Sequence, residues 1–344
     1  MKRWIDICRE AFAWGDSDPR INVSLAGALG ADGKRDDAVT LLRAAAAQND
    51  AQALYLLYEE HKSFGRSIDR PQAVSRAEAE QSLRRAAELG HPEATHTLAV
   101  LFDRGGVVKR DPAGARFWAE RALVNPPKHW HPIDIQVLRG RLLSQDQPEE
   151  RARGLDLLET LARGGRGDAK AYLAIAIRTE SPARARGLLE ESLRSYPGHA
   201  VPTLARMLID GEGGAKDEGR AVSLLRSVPD VGAVSAVLAE LHLEGRLVPR
   251  DVHKAVELFR HEAQWSVDAR NKTMQLLAVH PDIPLPHSGS FLCAATEAAE
   301  LGEAGALSAL VDLKLSSNLQ FRDQEGACAL LKEYGNRELT QPCR

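Results

Sequence analysis

The residues with the greatest potential for chemistry are few and scattered. Gly211-Glu212-Gly213-Gly214-Ala215-Lys216 offers glycines and a lysine, as a phosphate-binding loop requires. It lacks the Gly-Lys-Ser/Thr ending, and the pattern before it is helical instead of a strand, so a glycine-rich turn between helices is the simpler reading. His129 and His131 with Asp134, and His91 with His96, could present imidazoles to a metal. No pair has the i, i+4 spacing around a glutamate that zinc hydrolases use, and His129-Trp130-His131-Pro132 reads as a surface loop. No Gly-x-Ser-x-Gly elbow is present, and Ser288-Gly289-Ser290 lies in a Pro-rich stretch with no base nearby in sequence. None of Cys8, Cys293, Cys328 and Cys343 sits in a reactive signature. The chain therefore reads as non-enzymatic, with no cofactor and no metal.

Other residues suggest recognition. Tyr55, Tyr58 and Trp130 are candidates for a partner surface, because aromatic rings are enriched at binding hot spots. Trp118 lies on a helical face with Ala115, Ala119 and Ala122 and reads as core. Arg151-Ala152-Arg153 and Arg184-Ala185-Arg186 fit solvated helix faces better than an anion site. Cys293 and Cys328 are 35 residues apart and Cys343 lies 15 further on, which makes these three candidates for a disulfide whose pairing spacing cannot assign.

The elements that must position these residues repeat. Gly105 to Ala115 resembles Gly245 to Ala255 at an offset of 140, or four times 35. Gly211 to Ala221, with Asp217, sits 34 residues before the Asp251 copy, and Asp323 to Ala327 sits 72 after it. Ala86-Ala87-Glu88-Leu89-Gly90 returns as Ala298 to Gly302 after 212 residues. A period near 35 signals a solenoid. Leu98, Leu101 and Phe102 before the glycines, and Ala115, Trp118, Ala119 and Ala122 after them, have helical spacing, so each unit is a helix hairpin. Gly105, Gly211 and Gly245 suit the end of the first helix, and Asp111, Asp217, Asp251 and Asp323 the start of the second. Ala115, Ala221, Ala255 and Ala327 allow close helix approach.

Gly-x-x-Val-x-x-Asp between helices (Gly105, Val108, Asp111; Gly245, Val248, Asp251), a small residue and an aromatic in the second helix (Ala115, Trp118; Ala255, Phe259), then Ala-Ala-x-x-Gly, together resemble the Sel1-like repeat, a relative of the tetratricopeptide repeat. Segments 92 to 125 and 233 to 266 match best. The resemblance implies an all-α, right-handed superhelical solenoid of about nine hairpins whose first helices line a concave surface. It also implies a scaffold or adaptor that binds protein partners on that surface. Proteins of this kind serve bacterial envelope assembly, exopolysaccharide secretion and host interaction, so a partner from polysaccharide machinery is an alternative.

The expected organisation is an N-terminal helix or cap at 1 to 19, an array over 20 to 279 that is irregular at 126 to 165, a Pro-rich connector at 280 to 290, and C-terminal repeats with a tail at 291 to 344. With 45 Lys+Arg against 48 Asp+Glu and 5% aromatics, the composition favours neither nucleic acid nor stacked single strands. No apolar run approaches the roughly 18 to 20 residues of a membrane span. The N-terminus as given shows no signal peptide, which points to the cytoplasm; a trimmed mature form would instead belong in the periplasm.

Overall fold

The computed structural model describes residues 18–64, 73–105, 108–128, 131–228, 232–263, 266–285, 288–303 and 305–334. Among them are eighteen α-helices and no strand. In order these are α1 (Pro19–Ala31), α2 (Arg35–Ala46), α3 (Ala51–Phe64), α4 (Arg76–Glu88), α5 (Pro92–Arg104), α6 (Pro112–Val124), α7 (Pro132–Leu143), α8 (Pro148–Arg163) and α9 (Gly167–Ile177). They continue with α10 (Pro182–Ser192), α11 (Pro197–Asp210), α12 (Glu218–Ser227), α13 (Gly232–Glu244), α14 (Val252–Glu262), α15 (Val267–Val279), α16 (Ser288–Glu300), α17 (Ala306–Leu315) and α18 (Gln324–Tyr334). The chain forms two compact units, Met1–Ile135 and Gln136–Arg344.

In the first unit α1 packs on α2, α3 on α4 and α5 on α6. Their starts are written in the sequence. The Asp18 carboxylate accepts the Arg20 N–H at 2.9 Å, the Ser75 hydroxyl the Glu78 N–H at 3.2 Å, and Asp111 the Ala113 N–H at 3.0 Å. Each cap satisfies a helix N–H that has no partner within the helix. Alanines at the contact, among them Ala45, Ala53, Ala79, Ala86, Ala94 and Ala115, are fully buried and let the backbones approach closely, while Leu57, Leu83 and Leu98 fill the space between layers.

The second unit begins with a variation. Among the described residues, segment 126 to 165 has no aspartate-capped loop, and here α8 crosses the end of α7 at a glycine. A β-carbon on Gly154 would lie 2.4 Å from the Ser144 nitrogen. From α9 the hairpin pattern resumes as α9/α10, α11/α12 and α13/α14. First helices of successive hairpins touch, α9 on α11 and α11 on α13.

The Pro-rich connector changes the packing. α16 begins at Ser288, and α15 packs more against α17 than against α16. Ile283 and Leu285 of the connector are buried in one apolar cluster with Met274, Leu277, Leu310 and Phe321. The connector is also tied by hydrogen bonds. The Gln320 side chain accepts from the Leu285 N–H at 3.1 Å and donates to its carbonyl at 2.8 Å, and the Asn318 amide donates to the Leu277 carbonyl at 3.0 Å. Three prolines stop a helix here, and two buried side chains with a side-chain mimic of strand pairing hold the segment down.

Candidate functional site

The glycine, aspartate and alanine positions singled out by the repeat pattern share one geometry. Gly105, Gly211 and Gly245 have positive φ of 85°, 76° and 64° and end α5, α11 and α13. The main-chain N–H of Asp111, Asp217, Asp251 and Asp323 each donates to the carbonyl nine residues earlier, on Phe102, Leu208, His242 and Lys314, at 2.7 to 3.0 Å. The same aspartate side chains then accept N–H groups of the following helix, from Ala113, Arg220, Lys254 and Gly326. Ala115, Ala221, Ala255 and Ala327 are fully buried one turn later. These residues build the hairpin and present no reactive atoms to a cavity.

Gly211 to Lys216 is such a turn, between helices α11 and α12. His131 and Asp134 serve the start of α7, where the Asp134 carboxylate accepts the His131 N–H at 3.2 Å. His91 caps α5, and His96 is buried near Asp134. Among the described residues no three His, Cys, Asp or Glu side chains gather as a metal site would require, and no helix is long and apolar enough to cross a membrane.

The aromatic candidates divide. Tyr58 is 4% exposed and falls on the inner face of α3 with Leu54 and Leu57, so it is a core residue and not a partner surface. Tyr55 is half-buried. Its ring stacks on His91 at 4.8 Å, its hydroxyl donates to Glu59 at 3.0 Å, and burial pushes its pKa up to about 12. Trp118, expected in the core, is only partly buried. It sits on the flank of the Ala115/Ala119/Ala122 face, edge-on to Phe117, with the Arg121 guanidinium 5.4 Å from its ring. Trp130 and Cys343 lie outside the described residues, as does the Cys293 side chain. Cys328 is disulfide-bonded.

A groove lies in each unit. In the first, a space of about 610 Å³ lies between the second helices α2 and α4, floored by Ala46, Leu54 and Leu57. Arg43 crosses it as a bidentate pair with Glu78, both bonds 2.7 Å, and holds the Glu78 carboxyl below the usual range.

In the second unit a groove of about 490 Å³ crosses the first helices α9, α11, α13 and α15. Ile175, Pro202, Thr203, Ala236, Val237 and Ala269 line its middle. One helical turn further along each helix stand Arg178, Arg206, Glu240 and Lys272. Arg206 and Lys272 both donate to the Glu240 carboxylate at 2.7 Å, and Arg178 makes a bidentate pair with Glu212 at 2.5 and 2.6 Å. The hydrogen bond from Arg178 holds the Glu212 carboxyl below its ordinary range. At the other margin Tyr172, Tyr196 and His199 cluster, Tyr196 and His199 stacked at 4.8 Å. Motif reading missed these residues, because none belongs to the repeat signature. Their signal is opposite charge at the repeat spacing, with 34 residues between Arg178 and Glu212 and again between Arg206 and Glu240.

The arrangement suits surface recognition, since its charges are paired and partly or fully exposed, and among the described residues no buried acid or base faces a small closed cavity. Three solved structures are among those similar to this chain. Yeast Tom70 is 15% identical over 98% of this chain and 83% of its own, with a TM-score of 0.44. A protective antigen present in uropathogenic Escherichia coli strains and displaying an SLR fold is 20% identical over 96% and 71%, with a TM-score of 0.43. A Sel1 repeat protein from Oxalobacter formigenes is 22% identical over 90% of each chain, with a TM-score of 0.41. No curated protein matches the chain. The Sel1 repeat profile matches residues 92–123, 204–227 and 236–260, which include the Asp111, Asp217 and Asp251 turns. The chain thus matches the Sel1 repeat at these three stretches.

Proposed function

We propose that the protein is a non-enzymatic scaffold that recruits partner proteins, acting as an adaptor in the assembly or regulation of a bacterial complex. The observation that carries this is the groove across α9, α11, α13 and α15, an open surface of mixed apolar and charged side chains built from four successive first helices. A row of first helices offers extended area and adjustable side chains, which is what recognition of another chain needs. The concave face of the array is the expected docking side.

A second reading, a periplasmic component of exopolysaccharide secretion or modification machinery, is favoured by the disulfide at Cys328. Disulfides persist in oxidising compartments and are rare in the bacterial cytosol.

The test is site-specific photo-crosslinking in the native source. A photoreactive residue at Thr203 in the groove is expected to capture discrete protein bands, and one at the exposed Ser223 on α12 is not. Equal labelling from both positions, or none from Thr203, would defeat the scaffold reading. The identity of the captured protein decides between the cytoplasmic adaptor and the envelope component.

A further inference from the structure

We infer that α6 pairs with the same helix of a second copy of the chain, the two running parallel about a two-fold axis with Phe117 and Val124 as the seam. The contact is made by a second helix of the first unit and involves none of the groove residues of the second, so it stands apart from the scaffold reading.

Position is the first observation. Successive residues of a helix are about 100° apart, so Phe117 and Val124, seven apart, fall within about 20° of one line. Ala115, Ala119 and Ala122, all fully buried, occupy the opposite side of α6, and this line therefore points away from the core. Phe117 is nevertheless 55% exposed and Val124 87%. Other second helices carry polar or small residues there. Counted from the buried alanines Ala79 and Ala185, the matching positions are Gln81 and Glu88 in α4, and Gly187 and Arg194 in and just after α10. Counted from Ala221 and Ala255, the first of the two positions is Ser223 in α12 and Glu257 in α14. α6 thus shows solvent two large apolar side chains where its equivalents show none.

Charge is the second observation. Glu120 and Arg121 stand at mid-height between the two apolar residues, about 50° to either side of their line. Both are exposed. A two-fold axis parallel to the helices brings the left flank of one copy against the right flank of the other at the same height. Arg121 then meets Glu120 of the second copy, and the symmetry makes this pair twice. An antiparallel pair sets Arg121 against Arg121 and Glu120 against Glu120, so charge selects the parallel arrangement. The Arg121 guanidinium lies 5.7 Å from the Phe117 ring and 5.4 Å from the Trp118 ring, and no carboxylate of the described residues pairs with it. The Glu120 carboxylate has room for about four hydrogen bonds, so the incoming guanidinium adds to the contact it already makes. The equivalent residues are Arg84 and Arg85 in α4, and Glu190 and Glu191 in α10. Those helices bear like charges on both flanks, which no two-fold pairing reconciles.

The occupant follows from the same face. It carries both signs, each placed to meet the other, which suits a second copy; an acidic or a basic partner would be opposed by one of the two charges. A 13-residue helix is about 20 Å long, and one such contact falls short of the roughly 1,200 Å² of a stable interface. The dimer is therefore weak and depends on concentration.

The test is sedimentation equilibrium of the intact chain from low to several hundred micromolar, with charge-swapped variants. The parent is expected to show a monomer–dimer equilibrium. Glu120→Arg and Arg121→Glu, each of which leaves like charges on both flanks, should each weaken it about tenfold or more. Mixed in equal amounts, the two single variants should form a heterodimer of near-parental affinity, and the Glu120→Arg, Arg121→Glu double variant should self-associate like the parent. Phe117→Ser and Val124→Asp, both at exposed sites, should leave the circular dichroism spectrum unchanged and abolish dimerisation. If either perturbs folding, the charge swaps carry the test. A parent that stays monomeric throughout, a dimer indifferent to the swaps, or single variants that do not recover on mixing would each overturn the proposal. A mixture far tighter than the parent would do so too, since it would mean that like charges meet in the parent, as in an antiparallel pair. Crosslinking from Thr203 tests the scaffold reading separately, and neither result decides the other.

Discussion

The N–H of Asp251 donates to the carbonyl of His242, nine residues upstream, at 3.0 Å, while the Asp251 carboxylate accepts the Lys254 N–H at 2.9 Å. One residue thus closes the turn behind it and caps the helix ahead of it. The main-chain bond needs no particular side chain; the cap does. Asp251→Ala is expected to lower stability by about 1 kcal/mol, and Asp251→Asn, which keeps an acceptor, by a few tenths at most. Urea denaturation followed by circular dichroism measures both. Equal loss in the two variants would show that charge, not the cap hydrogen bond, matters at this position.

Gly154 and Gly187 make a matched pair, both inside helices. A β-carbon at Gly154 meets main-chain atoms of α7 at 2.4 to 2.8 Å, whereas one at Gly187 meets nothing within 4 Å. Gly187→Ala is expected to stabilise the protein by about 0.5 to 1 kcal/mol through helix propensity. At Gly154 the same gain is overwhelmed by separating two backbones, and Gly154→Ala is expected to cost about 1 to 3 kcal/mol. Thermal unfolding of the two variants should shift in opposite directions. A Gly154→Ala protein as stable as the parent would mean that α7 and α8 do not cross this closely.

The hairpins were legible because glycine, aspartate and alanine do backbone work at fixed intervals. Asp217 has few other signature residues around it, yet its spacing from Asp251 places it on the same turn geometry. The crossing at Gly154 was not legible, since it is a contact between residues ten or more apart with no turn chemistry to announce it. The groove was hidden for another reason. Arg206 and Lys272 are exposed and Glu240 is half-buried, so packing does not fix their identity, and only the one-period spacing of opposite charges reveals that they meet. Tyr58 shows the converse, an aromatic whose type suggested a surface and whose i, i+4 relation to Leu54 puts it in the core.

His91 makes the first unit sensitive to acid. Its Nδ1 accepts the Ala94 N–H at 3.3 Å and its Nε2 faces the Gln52 side-chain oxygen at 3.0 Å, so the bonded form is the neutral ring with its proton on Nε2. Burial lowers its pKa, against the opposing pull of Glu93 and Asp50, and burial does the same at His96, against Asp134. A histidine whose folded pKa lies below the unfolded 6.5 gives stability that is complete above that value and is lost as pH falls beneath it, because the unfolded chain takes up protons first. Unfolding free energy should therefore be level above about pH 7 and decline below about 6.5. Carboxylates held low by ion pairs, such as Glu78 with Arg43, lose their contribution only below about pH 4.5, so the two windows separate. His91→Asn, which keeps a capping acceptor, is expected to reduce the slope between pH 7 and 5. An unchanged slope would place the titration elsewhere.

The disulfide at Cys328 links stability to compartment. Cys328 lies in α18, one turn before the buried Leu331 that seats this helix, so a covalent tie here limits fraying of the last described helix. Cross-links of this kind contribute about 2 to 4 kcal/mol, in part by restricting the unfolded chain. Protein unfolded without reductant and treated with iodoacetamide should leave Cys328 unlabelled, and reduction beforehand should expose it. Cys328→Ser is expected to unfold at lower denaturant than the oxidised parent and to match the parent in dithiothreitol. The same labelling on material taken directly from cells reads the compartment: a protected Cys328 belongs to an oxidising space, and a labelled one returns the protein to the cytoplasm.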